Sequence, residues 1–189
     1  MRARSRTAPS HLIFIAYTLP AETASALATW AKASLGGAGE LRLVPPANLH
    51  ITLVFCGRLP AERVEEVVEA TRAGIVIRRA PVYLPSRVRV FARSAVALEL
   101  DAAEPDRALR GWPLGALALD LTSAGLRRPE TREWTPHLTI ARARRGHRPA
   151  VAVEPPDVSF APDAIVVLES VSVPGGVRYD QRARFPLEA

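Results

Sequence analysis

A chain of 189 residues, 48% hydrophobic and 23% charged, is long enough to bury a core as one domain and is composed like an ordinary soluble globular protein. Its lone cysteine, Cys56, excludes an intramolecular disulfide and a thiolate cluster for zinc, which points to a reducing compartment and a cytoplasmic location. The longest apolar runs, such as 12–17, fall well short of the roughly 20 residues of a membrane span. The formal net charge of +6 comes almost wholly from arginine, since Lys32 is the only lysine. Either an arginine-rich composition or an electropositive surface for an anionic partner such as nucleic acid accounts for it, and charge alone does not separate the two.

Residues 1–10 carry three arginines, no acids and few apolar side chains, and read as a disordered basic tail before a single domain over 11–189. Residues 12–18 have a buried-strand pattern, and Pro20 suits the opening of a helix over 21–35 that Gly36-Gly37 terminates. A short strand over 41–44 closes at Pro45-Pro46, and 50–56 is the next strand, with Gly57 as breaker. A helix over 60–73 has Glu62, Glu65 and Glu66 early and Val64, Val67 and Val68 as its apolar face. Strands follow over 81–90 and 95–100, joined near Ala92-Arg93-Ser94. Residues 104–126 are apolar enough for a helix, but Gly111, Pro113 and Gly115 predict a broken or late-starting one. A strand within 131–143, a basic loop over 144–149, a connection at Pro155-Pro156, and strands over 164–173 and 177–185 complete the chain. Pro174-Gly175-Gly176 makes the last pair a hairpin. The order predicts an α+β protein of two related halves.

Two of these strands share a pattern. His50-Ile51-Thr52-Leu53 and His137-Leu138-Thr139-Ile140 both place His-apolar-Thr-apolar in a run of alternating residues, 87 positions apart. Successive side chains of a strand point to opposite faces, so each histidine shares a face with its threonine. If the two faces meet, they bring together two imidazoles and two hydroxyls. Imidazole exists in neutral and protonated forms near neutral pH, so one ring can take a proton from water while the other gives one to a leaving oxygen. The hydroxyls of Thr52 and Thr139 can donate to an anionic transition state. That set suits a phosphodiester with an alkoxide leaving group and requires no metal or cofactor.

Other chemistries find little support. The chain has no glycine-rich phosphate loop followed by lysine and no His-Glu-x-x-His helix. A metal would want more ligands than two histidines, and apart from Glu133 neither motif brings a nearby carboxylate on its face. His11 and His147 lie in no comparable context and read as surface or tail residues.

The paired motifs resemble those of the two-histidine phosphoesterase superfamily, and their flanks are similar to its LigT-like branch, the RNA 2′,3′-cyclic phosphodiesterases also called 2′-5′ RNA ligases. The flanks are Phe14-Ile15-Ala16, Val44-Pro45-Pro46-Ala47-Asn48-Leu49, Trp134-Thr135-Pro136, and Val173 to Tyr179 with the closing Ala183-Arg184-Phe185-Pro186-Leu187. The resemblance implies a bilobal fold, with two antiparallel sheets facing a central cleft and helices outside. It implies hydrolysis of RNA 2′,3′-cyclic phosphate ends to a 2′-phosphate without metal, and in some members 2′-5′ joining in vitro. By analogy His137 would activate water, His50 would protonate the leaving 3′ oxygen, and Thr52 and Thr139 would hold phosphate oxygens.

Two more positions match the family's binding residues, Phe55 for stacking on a base and Arg142 for pairing with phosphate. Strict alternation puts both on the face away from their histidines, so they serve only if the strands bulge or twist. Residues 81–100 depart from the family by lacking its aromatic and arginine pattern, and Gly111-Trp112-Pro113 interrupts a usually regular helix. The expected partner is RNA or an oligonucleotide with a cyclic phosphate end, bound by a monomer with no membrane contact. The alternatives are the same chemistry on a small cyclic nucleotide, or a basic RNA-binding module without turnover.

Overall fold

The computed structural model describes residues 10–75, 79, 81–91, 94–103, 114–174 and 176–188. Most of the expected tail, the Ala92-Arg93 connection, the interrupted stretch 104–113 and Gly175 lie outside them. The elements run β1 (Ser10–Thr18), α1 (Ala21–Leu35), β2 (Leu41–Leu43), β3 (His50–Pro60), α2 (Ala61–Gly74), β4 (Tyr83–Phe91), β5 (Ala95–Ala102), α3 (Gly115–Ser123), β6 (His137–Ala143), β7 (Ala164–Val173) and β8 (Gly176–Pro186). No described helix is long and apolar enough to cross a membrane.

Local chemistry explains the helix boundaries. Pro20 and Pro60 stand at the N-caps of α1 and α2, where a missing N–H costs nothing. In α2, Glu62 lies in the first turn and Arg72 in the last, both complementing the helix dipole. Among the described residues helix α3 begins at Gly115 and ends in a Schellman turn. Leu126 N–H donates to the Leu121 carbonyl and Gly125 N–H to that of Thr122, with Gly125 at φ +67°. Arg63 of α2 donates to the Ala124 carbonyl at the same helix end.

The strands pair antiparallel in the order β4-β5-β6-β3-β1-β7-β8, with β2 also on β6. The two expected sheets are the two halves of this path, and they join where Ile51 of β3 pairs with Leu138 of β6. Just before the seam, β2 runs along β6 from Leu41 opposite Ala143 to Leu43 opposite Ala141, and Val44 N–H reaches the Ile140 carbonyl. Pro45 and Pro46 have no N–H to continue the ladder, so the chain swings out through a 3-10 turn over Pro46–Asn48. It rejoins β6 at Ile51. Asn48 pins the excursion by donating from Nδ2 to the Val177 carbonyl of β8 at 2.9 Å.

The two faces of the sheet differ. One packs Ile13, Ile15 and Tyr17 of β1, Ile51 and Leu53 of β3, and Leu138 and Ile140 of β6 against all three helices. The opposite face has a smaller apolar cluster of Phe14, Ala16, Ala164, Val166 and Leu168, with Tyr179 beside it. It leaves the motif side chains half-buried rather than covered. Gly57, expected as a strand breaker, adopts φ +87° inside β3, and the strand continues to Pro60. A glycine with positive φ in a strand marks a bulge rather than an end.

Leu138 at the seam is fully buried, whereas Leu119 on α3 is 70% exposed. Leu138→Ala is expected to lower the free energy of unfolding by about 3 kcal/mol. Leu119→Ala is expected to change it by less than about 0.5 kcal/mol. Urea denaturation of both variants measures the difference.

Candidate active site

The seam determines how the four motif residues meet. Because Ile51 and Leu138 are paired and buried, His50, Thr52, His137 and Thr139 flank them on the opposite, open face. Each ring is then held in the same way. His50 Nδ1 bonds the Asn48 carbonyl at 2.7 Å, and His137 Nδ1 bonds the Thr135 carbonyl at 2.8 Å. A carbonyl only accepts, so Nδ1 of each neutral ring carries the proton and Nε2 keeps its lone pair. Neither Nε2 has a hydrogen-bond partner among the described residues. Small residues stand opposite the threonines in register, Ala16 across from Thr52 and Ala97 across from Thr139. They stand on the outer sides of the two motif strands, in β1 and β5.

Both conditional ligands reach this face. In the β1–β3 ladder Ile15 pairs with Val54 and Ala16 with Thr52, so Leu53 is an extra residue. In the β5–β6 ladder Val96 pairs with Ala141 and Ala97 with Thr139, so Ile140 is extra. Each bulge follows its threonine directly and inverts the alternation beyond it. Phe55 therefore shares the face of Thr52, 55% exposed, and Arg142 shares that of Thr139. Arg142 lies close enough to His50 to disfavour its protonated form.

Several neighbours were not singled out from sequence. His50 sits between Phe14, at a 5.1 Å ring separation, and Tyr179, at 5.0 Å and edge-on. His137 stacks on Phe91 at 4.6 Å and 19°. The Arg89 guanidinium lies 5.2 Å from the same phenyl centroid and bonds Glu99 at 3.1 Å. Residues 81–100 thus bring an aromatic ring and an arginine, Phe91 and Arg89, to the side of His137. Their signal is the period-2 run Arg87-Val88-Arg89-Val90-Phe91, whose odd positions pair with Glu99, Ala97 and Ala95. Glu99, opposite His137 in register, is a carboxylate on the motif face that sequence reasoning missed. His11 also differs from expectation, because it lies in β1 and bonds the buried Glu169 at 2.7 Å, on the helix-bearing side of the sheet with Ile13.

Burial pushes the His50 imidazole down to about 4, aided by the charges of Arg142 and His137 and opposed by the Asn48 carbonyl. The open face deepens beside His137 into a cleft of about 860 Å³, which Thr52, Phe55, Phe91 and Trp134 also line. Trp134 is fixed by its Nε1 donating to the Thr52 carbonyl at 3.0 Å. Among the described residues no three His, Cys, Asp or Glu side chains cluster as metal ligands.

Two imidazoles with matching tautomers thus share one open face of an α+β scaffold, beside a guanidinium. A sequence profile of the 2′-5′ RNA ligase superfamily matches residues 19–172. The chain belongs to this superfamily. E. coli LigT in apo form is similar over 96% of this chain and 100% of its own, at 25% identity and a TM-score of 0.72. The same protein complexed with 3′-AMP is 26% identical, with the same coverage and a TM-score of 0.71. TT0787 of Thermus thermophilus shares the fold over 93% of this chain and 97% of its own, at 22% identity and a TM-score of 0.75. No curated protein sequence aligns significantly.

The lowered His50 value carries a sign that can be measured. In the unfolded chain this imidazole takes a proton near the usual value of about 6.5, and in the folded chain only near 4. Between those values the unfolded state binds more protons. His50's contribution is therefore full above the higher value and is lost as pH falls toward the lower one. Wild-type stability is expected to drop more between pH 7 and pH 5 than that of His50→Asn in urea unfolding, and the His50 ring is expected to titrate near 4 by NMR.

Proposed function

We propose that the chain hydrolyses RNA 2′,3′-cyclic phosphate ends to 2′-phosphates without metal. The observation that carries this reading is the matched pair of Nδ1–carbonyl bonds on one open face, which leaves both Nε2 atoms without a hydrogen-bond partner among the described residues. The water oxygen attacks phosphorus and gives its proton to His137 Nε2. The bond from phosphorus to the 3′ oxygen breaks, and that oxygen takes a proton from His50 Nε2, leaving a 2′-phosphate and a 3′-hydroxyl. His50 is neutral at pH 7 in the free protein, so the bound phosphate must supply the negative charge that lets it hold a proton. Thr52 and Thr139 donate to the equatorial oxygens, Arg142 offsets their charge, and Phe55 stacks on the terminal base. With the 5′-hydroxyl of a second RNA end in place of water as the nucleophile, the same step would open the cyclic phosphate into a 2′-5′ linkage and free the 3′-hydroxyl.

A second reading, a small nucleotide as substrate, is favoured by E. coli LigT having been crystallised with 3′-AMP, NADP+ and ATP. Rates on cyclic mononucleotides and on oligonucleotides separate the two readings.

The test is hydrolysis of a short RNA ending in a 2′,3′-cyclic phosphate, in EDTA, with the product position assigned. Wild type is expected to give the 2′-phosphate. His50→Ala and His137→Ala are each expected to lose about 100- to 10,000-fold in kcat, and Thr52→Val or Thr139→Val about 100-fold. Activity surviving both histidine substitutions would place the chemistry elsewhere.

A further inference from the structure

The cleft beside His137 extends beyond the four motif residues, along a wall the proposed chemistry does not use. The Schellman turn at Gly125 directs the chain away from α3 into 126–135, and this stretch faces the end of β3 across the cleft. Four arginines line it, Arg58, Arg127, Arg128 and Arg132, against two glutamates, Glu130 and Glu133. Arg132 and Glu130 engage each other through two bonds of 3.1 and 2.8 Å, so that pair presents little net charge. Arg127 is buried, with its own interactions. Arg58 and Arg128 remain: both are exposed, and neither has an ion-pair partner among the described residues. A lone Glu133 does not balance two unpaired guanidinium groups.

The cleft also has aromatic walls. Phe55, more than half exposed, Phe91 and Trp134 all line it. Aromatic faces beside unpaired guanidinium groups form the combination that holds unstacked bases and tracks a single-stranded phosphate backbone. At about 860 Å³ the space is at the upper end for a small-molecule site and exceeds what a phosphate group requires.

We propose that Arg58 and Arg128 form a second phosphate subsite, which binds a backbone phosphodiester of single-stranded RNA on the 5′ side of the reacting end. This rests on the hydrolytic reading for which end reacts, and it adds a site for the polymer that the reacting phosphate alone does not need. Arg58 comes from β3 and Arg128 from the segment after α3, so the strand is gripped from both sides of the cleft. The cations lie on the His137 side of the site, which gives the bound strand its exit. Glu133, at the same wall, disfavours an anion lodged away from the two arginines.

The experiment has two arms, each comparing wild type with the exposed double substitution Arg58→Ala/Arg128→Ala and with Arg145→Ala. The last removes one exposed charge from the loop after β6, outside the cleft. The first arm measures binding of a 5′-labelled RNA pentamer ending in a 3′-phosphate, by anisotropy between 50 and 200 mM salt. Losing one phosphate contact lowers the log–log salt slope by about 0.7 for a single strand, so the double variant, which loses the one subsite, is expected to fall by that amount. Arg145→Ala is expected to leave the slope within error. The second arm compares kcat/KM on a trinucleotide and on a mononucleotide, both ending in a 2′,3′-cyclic phosphate. The trinucleotide-to-mononucleotide ratio is expected to fall about 10-fold in the double variant.

An unchanged slope or an unchanged ratio in the double variant overturns the subsite. So does a loss of slope per charge in Arg145→Ala equal to that in the double variant, which would mean diffuse attraction. If wild type hydrolyses neither substrate, the hydrolytic reading fails, and the salt slope still decides whether Arg58 and Arg128 hold a strand.

Discussion

The cleft depends on one cross-strand pair, Ile51 with Leu138. Both side chains are fully buried against the helices, and this burial locks the register between the two halves. A slip of one residue would turn the apolar positions outward and bury imidazoles and hydroxyls instead. The hydrophobic core on one face thus holds the geometry on the other. The prolines at 45 and 46 matter for the same reason, since they lift the chain out of the ladder so that it re-enters at the one position that places His50 beside His137.

The two imidazoles have identical clamps and different surroundings. Both rings donate from Nδ1 to the carbonyl two residues earlier, a contact within each strand's own approach. Beyond that they diverge. His50 lies among Phe14, Tyr179 and the guanidinium of Arg142, where a second positive charge is unwelcome. His137 lies against Phe91, with Arg89 and Glu99 next to that ring. The proposed chemistry needs His50 loaded at the moment of reaction, which its surroundings oppose in the free protein, so the bound phosphate has to reverse that bias.

The strands and helices were legible wherever apolar periodicity was strong, and the motif pair was legible because its pattern occurs twice. The faces of Phe55 and Arg142 were not, because a bulge leaves no mark in composition. Leu53 and Ile140 look like ordinary strand residues, and only the pairing of the neighbouring strand shows that each is supernumerary. The pattern in β4 was present as Arg87-x-Arg89-x-Phe91 but could be weighted only with the register that sets it beside His137. His11 looked like tail because its partner, Glu169, stands 158 residues away. Contacts of that separation have no local signature.

The two bulges also mean that the site has a direction. The positions three residues beyond Thr52 and Thr139 are equivalent in the two halves, each returned to the open face by the same one-residue insertion. One carries a phenyl ring and the other a guanidinium. The insertion is the same in both halves, whereas the side chains it presents are not. Polarity in this cleft is therefore a matter of which side chain stands at each end, and it could be rewritten without disturbing a single strand.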